Sequence, residues 1–161
     1  MRTSMFVTTA LGSLLLCAAS APTLFAFDLT GNWTGKWSCK GFDGAKFTSS
    51  NKISTMAVTQ VGNTINVNID NGDFYYNGGA IPDNGKPDEK GEAVLVQCGT
   101  DNLPLADPEG EVVRATVKTK LGSPKGSFKA ISIFENTGDV GTCKYNYKRK
   151  DTVNSSVAPC P

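Results

Sequence analysis

Between Asn32 and Lys150 apolar and polar residues alternate in short runs closed by turn chemistry, and no stretch carries a convincing helical period. The clearest run is 63–70, where Ile65, Val67 and Ile69 take one face and Asn66, Asn68 and Asp70 the other. Eight strands are expected, at 32–40, 51–61, 63–70, 73–80, 92–98, 111–120, 126–135 and 139–149. Gly62-Asn63 and Asn71-Gly72 read as tight hairpin turns, so the second, third and fourth strands form a meander. Two prolines, Pro82 and Pro87, mark a polar loop over 81–90. Successive antiparallel strands must dispose of their edges, and pairing the first strand with the last leaves none. The expected fold is all-β, an eight-stranded antiparallel up-and-down barrel; a two-sheet β-sandwich suits the alternation equally well.

Cysteine placement favours the barrel. Residues 1–26 have the build of a secretory signal: Arg2, an apolar run through Leu14, Leu15 and Leu16, then small residues. The run is too short for a membrane span, and the three leucines before Cys17 do not suit a lipidated cysteine. Cleavage after Ala26 leaves one barrel domain over 27–150 and a tail over 151–161, about 135 residues in all. It also leaves Cys39, Cys98, Cys143 and Cys160, an even set that reads as two disulfides in an exported chain. If the first strand runs up, the last runs down, so Cys39 near the end of one faces Cys143 near the start of the other. Both share the parity of inward residues. Cys39–Cys143 would therefore seal the barrel, and Cys98–Cys160, paired by elimination, would strap the tail to its outside or end. On the 126–135 strand Phe128, Ala130, Ser132 and Phe134 face in. Ile131 and Ile133 then face out and need a cover, most simply the tail and otherwise another subunit.

Charge narrows the partners. Without Arg2 the chain carries fifteen bases and 15 acids, which gives no positive excess for nucleic acid. The charges are segregated: ten acids crowd 66–112, and nine bases follow from Arg114 onward, so one wall of a barrel would be acidic and its neighbour basic. The sequence holds no histidine and no C-x-x-C pair, so no metal site is expected. The acids of 83–90 lack the ladder of a calcium loop. No cofactor is implied. A usual acid or base near neutral pH and a Gly-x-Ser-x-Gly nucleophile turn are both missing, so the chain is expected not to be an enzyme.

The segment Leu29-Thr30-Gly31-Asn32-Trp33-Thr34, with Arg149 flanked by Lys148 and Lys150 at the end of the last strand, resembles the calycin superfamily of lipocalins, fatty-acid-binding proteins and avidins. The likeness to avidin-type chains stops at Gly35. The resemblance implies a barrel whose closed end is plugged by Trp33, following Gly31, with Arg149 packed across it. It also implies that the first connection, with Phe42 and Phe47, acts as a lid over the open mouth.

Aromatics with inward parity either fill a barrel or wall a pocket, which makes Trp37, Phe74, Tyr76 and Tyr145, together with Phe42, the candidate ligand contacts. Two functions follow. The first is a secreted or periplasmic carrier holding a small apolar or amphipathic molecule, which needs an internal void of roughly 300 Å³ or more. The second is a protein-binding, inhibitory or envelope-associated module with a filled barrel and no small ligand. Oligomeric state is not legible in the residues.

Overall fold

The computed structural model describes residues 27–42, 44, 46–48, 53–83, 90–99, 110–120, 123–136, 139–154, 157 and 160. The expected signal and the acidic loop at 84–89 lie outside these residues. Nine strands are described: β1 Gly31–Gly41, β2 Lys46–Thr48, β3 Ser54–Val61, β4 Thr64–Ile69, β5 Phe74–Pro82, β6 Lys90–Gly99, β7 Val112–Thr119, β8 Gly126–Asn136 and β9 Asp139–Arg149. From β3 onward each pairs antiparallel with the next, β1 pairs with β3, and β9 returns to pair with β1 from Trp33↔Arg149 to Gly41↔Gly141. Eight strands thus close an up-and-down barrel, and the sandwich is excluded.

Two differences from the expected strands have local causes. β2 occupies the expected first loop, because β3 pairs only with Gly31–Gly35 of β1 and leaves the edge at Ser38–Lys40 free for a three-residue strand. β5 runs on to Pro82, past the expected end at Ala80, because β6 continues to pair with it through Ile81↔Glu92 and Pro82↔Gly91. β4 stops opposite Gly79, so Pro82 falls where the other edge of β5 has no partner strand, a position proline tolerates.

The turns also differ in kind. Gly62, at φ 60°, opens the two-residue β3–β4 hairpin. The β4–β5 connection spans four residues, with positive φ at Asp70, Asn71 and Gly72. Asp70 fits the first of these because its carboxylate accepts the Thr55 amide at 2.9 Å while its own amide donates to the Thr55 carbonyl at 2.8 Å.

Strand alternation fills the interior. One cross-strand row reads Trp37, Tyr145, Ala130, Ala115, Ala93 and Ala80 around the wall. Four alanines there leave the space that two large rings occupy. At the end plugged by Trp33, termed the narrow end and its opposite the wide end, Trp33 is 1% exposed, its indole nitrogen donates to the Leu29 carbonyl at 3.1 Å, and Phe128 meets it edge to face. The Arg149 guanidinium stands 5.5 Å from that ring's centroid and donates to the carbonyls of Asp28, Ser123 and Pro124. Gly126 packs closely beside them, because a Cβ there would lie 2.9 Å from the Trp33 ring and force a shift.

Both cysteine pairs are placed as disulfides. Cys39–Cys143 joins directly opposed residues of β1 and β9, Cα atoms 3.9 Å apart, and Cys98–Cys160 ties the tail to β6. The tail leaves β9 against the start of β1, where Lys150 donates to the Asn32 carbonyl and Asp151 accepts from the Asn32 amide side chain. Val157 is buried. Ile131 and Ile133 are each 62% exposed, and the described tail residues meet the barrel elsewhere, at Asn32 of β1 and at Cys98 of β6. Among the described residues no helix is long and apolar enough to cross a membrane.

Candidate functional site

Glu111 immediately precedes β7 and shares the inward parity of Val113, Ala115 and Val117, so its side chain enters the barrel near the wide end. It is 5% exposed. Tyr145 donates to Oε1 at 2.6 Å, Tyr76 donates to Oε2 at 2.7 Å, and the Ser132 hydroxyl also donates to Oε1. The donors come from β9, β5 and β8, so the carboxylate joins strands that are not all neighbours. Burial first, then the Tyr145 phenol and the Glu111 carboxylate, push the Tyr76 hydroxyl well above its ordinary range. Burial and Glu111 raise Tyr145 against opposing bonds with Tyr76 and Ser132, so both phenols stay protonated as donors. A deeper pair, Tyr147 and Ser54, shares a bond of 2.6 Å, and burial raises the Tyr147 hydroxyl too.

A carboxylate already accepting three hydroxyl bonds is poised to hold structure together rather than to take a proton from a substrate. The space beside it is small. The void lined by Tyr76, Tyr145, Met56, Ile69 and Leu95 measures about 10 Å³, the room of one water molecule. Buried Gln97 lies alongside, its main-chain amide donating to the Glu111 carbonyl and its Nε2 without a partner among the described residues.

The expected ligand contacts divide into three groups. Tyr76 and Tyr145 come together at Glu111. Trp37 and Phe74 meet edge to face, centroids 6.2 Å apart, and the Trp37 indole nitrogen donates to Asp70 at 3.1 Å. Phe42 stands apart, 76% exposed, with its amide donating to the Val140 carbonyl. Phe47 falls in β2 opposite Cys39. Sequence reasoning misses Glu111 among the acids of its segment, although its parity with Val113 places it inside.

The outer wall of β6–β8 carries a second arrangement. Val94, Arg114 and Ile131 form one cross-strand row, and Val96, Val112 and Ile133 the next toward the wide end. The five aliphatic side chains are from 49% exposed at Val94 to 62% at the isoleucines. Continuing these rows onto β9 and β1 brings in Lys144 and Lys40, and the adjacent row from Thr116 carries Lys129 on β8 and Lys36 on β1, all exposed. Glu92 is held by Arg114 in a 3.0 Å ion pair, and Glu135 lies at the wide end of the same wall. Among the described residues no group of three or more cysteines and acids is placed to hold a metal ion. No known protein family, curated protein or solved structure matches the chain.

Proposed function

We propose that this protein is an exported, non-enzymatic binding module of calycin type, which engages a protein partner through the outer wall of β6–β8 rather than carrying a small molecule inside. The observation that carries the reading is the pairing of a small void, about 10 Å³ among the described residues lining the interior, with five contiguous aliphatic side chains left on the outside. A carrier of an apolar or amphipathic ligand needs roughly 300 Å³, and the described interior supports that reading least. The exposed aliphatic area is on the order of 400 Å², comparable with the largest apolar patch of an ordinary monomer, where such patches mark interaction sites. Export is supported by the two disulfides and by the signal-like segment at 1–26. Calycin membership is supported by Gly31, by Trp33 at the narrow end and by Arg149 across it.

The lysine frame selects the occupant. A second copy docked isologously would set lysines against lysines, so the fitting partner is a different protein with acidic residues around an apolar centre. The test is photo-crosslinking from position 131 in the host's exported fraction, identification of the joined protein, and charge reversal on both sides. The expected result is a partner lost with Ile131→Ser/Ile133→Ser, weakened by salt and by Lys129→Glu/Lys144→Glu, and recovered when its contacting acids are changed to lysine. A crosslink only to another copy of the chain, binding only to anionic vesicles, or a stoichiometric small molecule in native mass spectrometry overturns it.

A further inference from the structure

The narrow end of the barrel holds a cationic groove that the outer apolar wall does not use. It is a shallow depression of about 480 Å³ around the β7–β8 connection, lined by Lys118, Lys120, Lys125, Lys148, Ser127 and Thr119, with Gly126 and Arg149 at its base. Lys118 and Lys148 flank Ser127 in one cross-strand row. Two strand spacings put their backbones about 10 Å apart. Lys120 and Lys125 stand on the connection beyond, and all four lysines are exposed.

Among the described residues no acid lines the groove. The Arg149 guanidinium is committed to main-chain carbonyls, and burial lowers it from its ordinary value while Asp28 opposes the change. The four lysines therefore face one depression without a counter-charge in its described lining, an arrangement that repels itself until an anion enters. Thr119 adds a different kind of observation. It is 5% exposed and its hydroxyl has no partner among the described residues, although it lines the groove. A buried hydroxyl without a partner is costly, and a rotation of the Thr119 side chain would let it donate a hydrogen bond to an oxyanion in the groove.

We propose that this groove binds a molecule bearing at least two phosphate or sulfate groups, held by Lys118 and Lys148 on one side and by Lys120 and Lys125 on the other, with the Thr119 hydroxyl donating to an anionic oxygen. The inference stands independently of the outer-wall reading, which uses other lysines. Lysine suits the task as a mobile point charge that neutralises an ester without demanding a planar, two-pronged geometry.

The experiment follows backbone amide shifts of the purified protein at constant ionic strength. Three probes are titrated: pyrophosphate, sucrose octasulfate, and vesicles of phosphatidylcholine containing phosphatidic acid. Saturable shifts confined to 118–127 and 148–149 are expected with at least one probe, and the responding probe identifies free phosphate, sulfate ester or lipid headgroup as the source. Lys118→Gln/Lys148→Gln, both exposed changes, should weaken binding about tenfold. Thr119→Val should weaken it severalfold while leaving the lysines in place. Three results overturn the proposal: no saturation with any probe, shifts spread equally over Lys36, Lys129 and Lys144, or affinity unchanged in the double variant.

Discussion

The Tyr145 hydroxyl donates to Glu111 across 2.6 Å from a strand that is not paired to the segment bearing the carboxylate, for β8 lies between them. Tyr76 reaches the other carboxylate oxygen from β5, with β6 between. The bonds are chords across the barrel, where ladder bonds join only neighbours.

Removing the centre of these chords should be costly. Glu111→Ala strands three buried hydroxyls at once and is expected to destabilise the fold by about 3 kcal/mol or more. Glu111→Gln keeps the shape and one good acceptor and should cost about 1 to 3 kcal/mol. Denaturant unfolding of both variants checks the order; equal loss would show that the paired carboxylate oxygens, and not the volume of the side chain, carry the effect.

The phenols set an alkaline limit. Tyr76, Tyr145 and Tyr147 ionise less readily folded than in the unfolded chain, where the ordinary value is 10.0. Unfolded tyrosines release protons as pH rises through that value and folded ones do not, so this contribution to stability is complete below pH 10.0 and declines above it. A spectrophotometric titration should show the phenolate band of these three rings appearing together with loss of structure. Gradual appearance in the folded protein would contradict the burial.

Gly126 tests the narrow end. Gly126→Ala sets a methyl 2.9 Å from the Trp33 ring and 3.1 Å from the Lys118 carbonyl, both tightly held. A loss of about 1 to 3 kcal/mol is expected, measured by denaturant midpoint at unchanged slope.

The tail should separate from the barrel energetically. Cys98→Ser/Cys160→Ser removes a bridge closing 62 residues, and about 2 to 4 kcal/mol is the usual scale of such a loss. Hydrogen exchange should quicken at Val157 while the Cys143–Arg149 stretch of β9 stays protected. Equal deprotection of both would show that the tail folds as one unit with the barrel.

Much of this architecture is legible in alternation alone. Ile65, Val67 and Ile69, and Phe128, Ala130 and Ser132, announce their faces because a strand has a period of two and one side is buried. Cys39 and Cys143 are legible for the same reason, with strand direction added. The hydroxyl-bound carboxylate is legible only in part: parity with Val113 turns Glu111 inward, but nothing local says that Tyr76 and Tyr145 meet it across the interior. The tail's course is not legible either. Its residues carry no period, so Ile131 and Ile133 could be known to face outward but not to stay uncovered.

The tether from Arg149 to Cys160 has a consequence for access to the wall. Its far anchor, Cys98, stands on β6 two residues beyond Val96, so the chain itself bounds one margin of the exposed aliphatic wall. Opening that bridge would free this margin without touching Ile131 or Ile133 on β8.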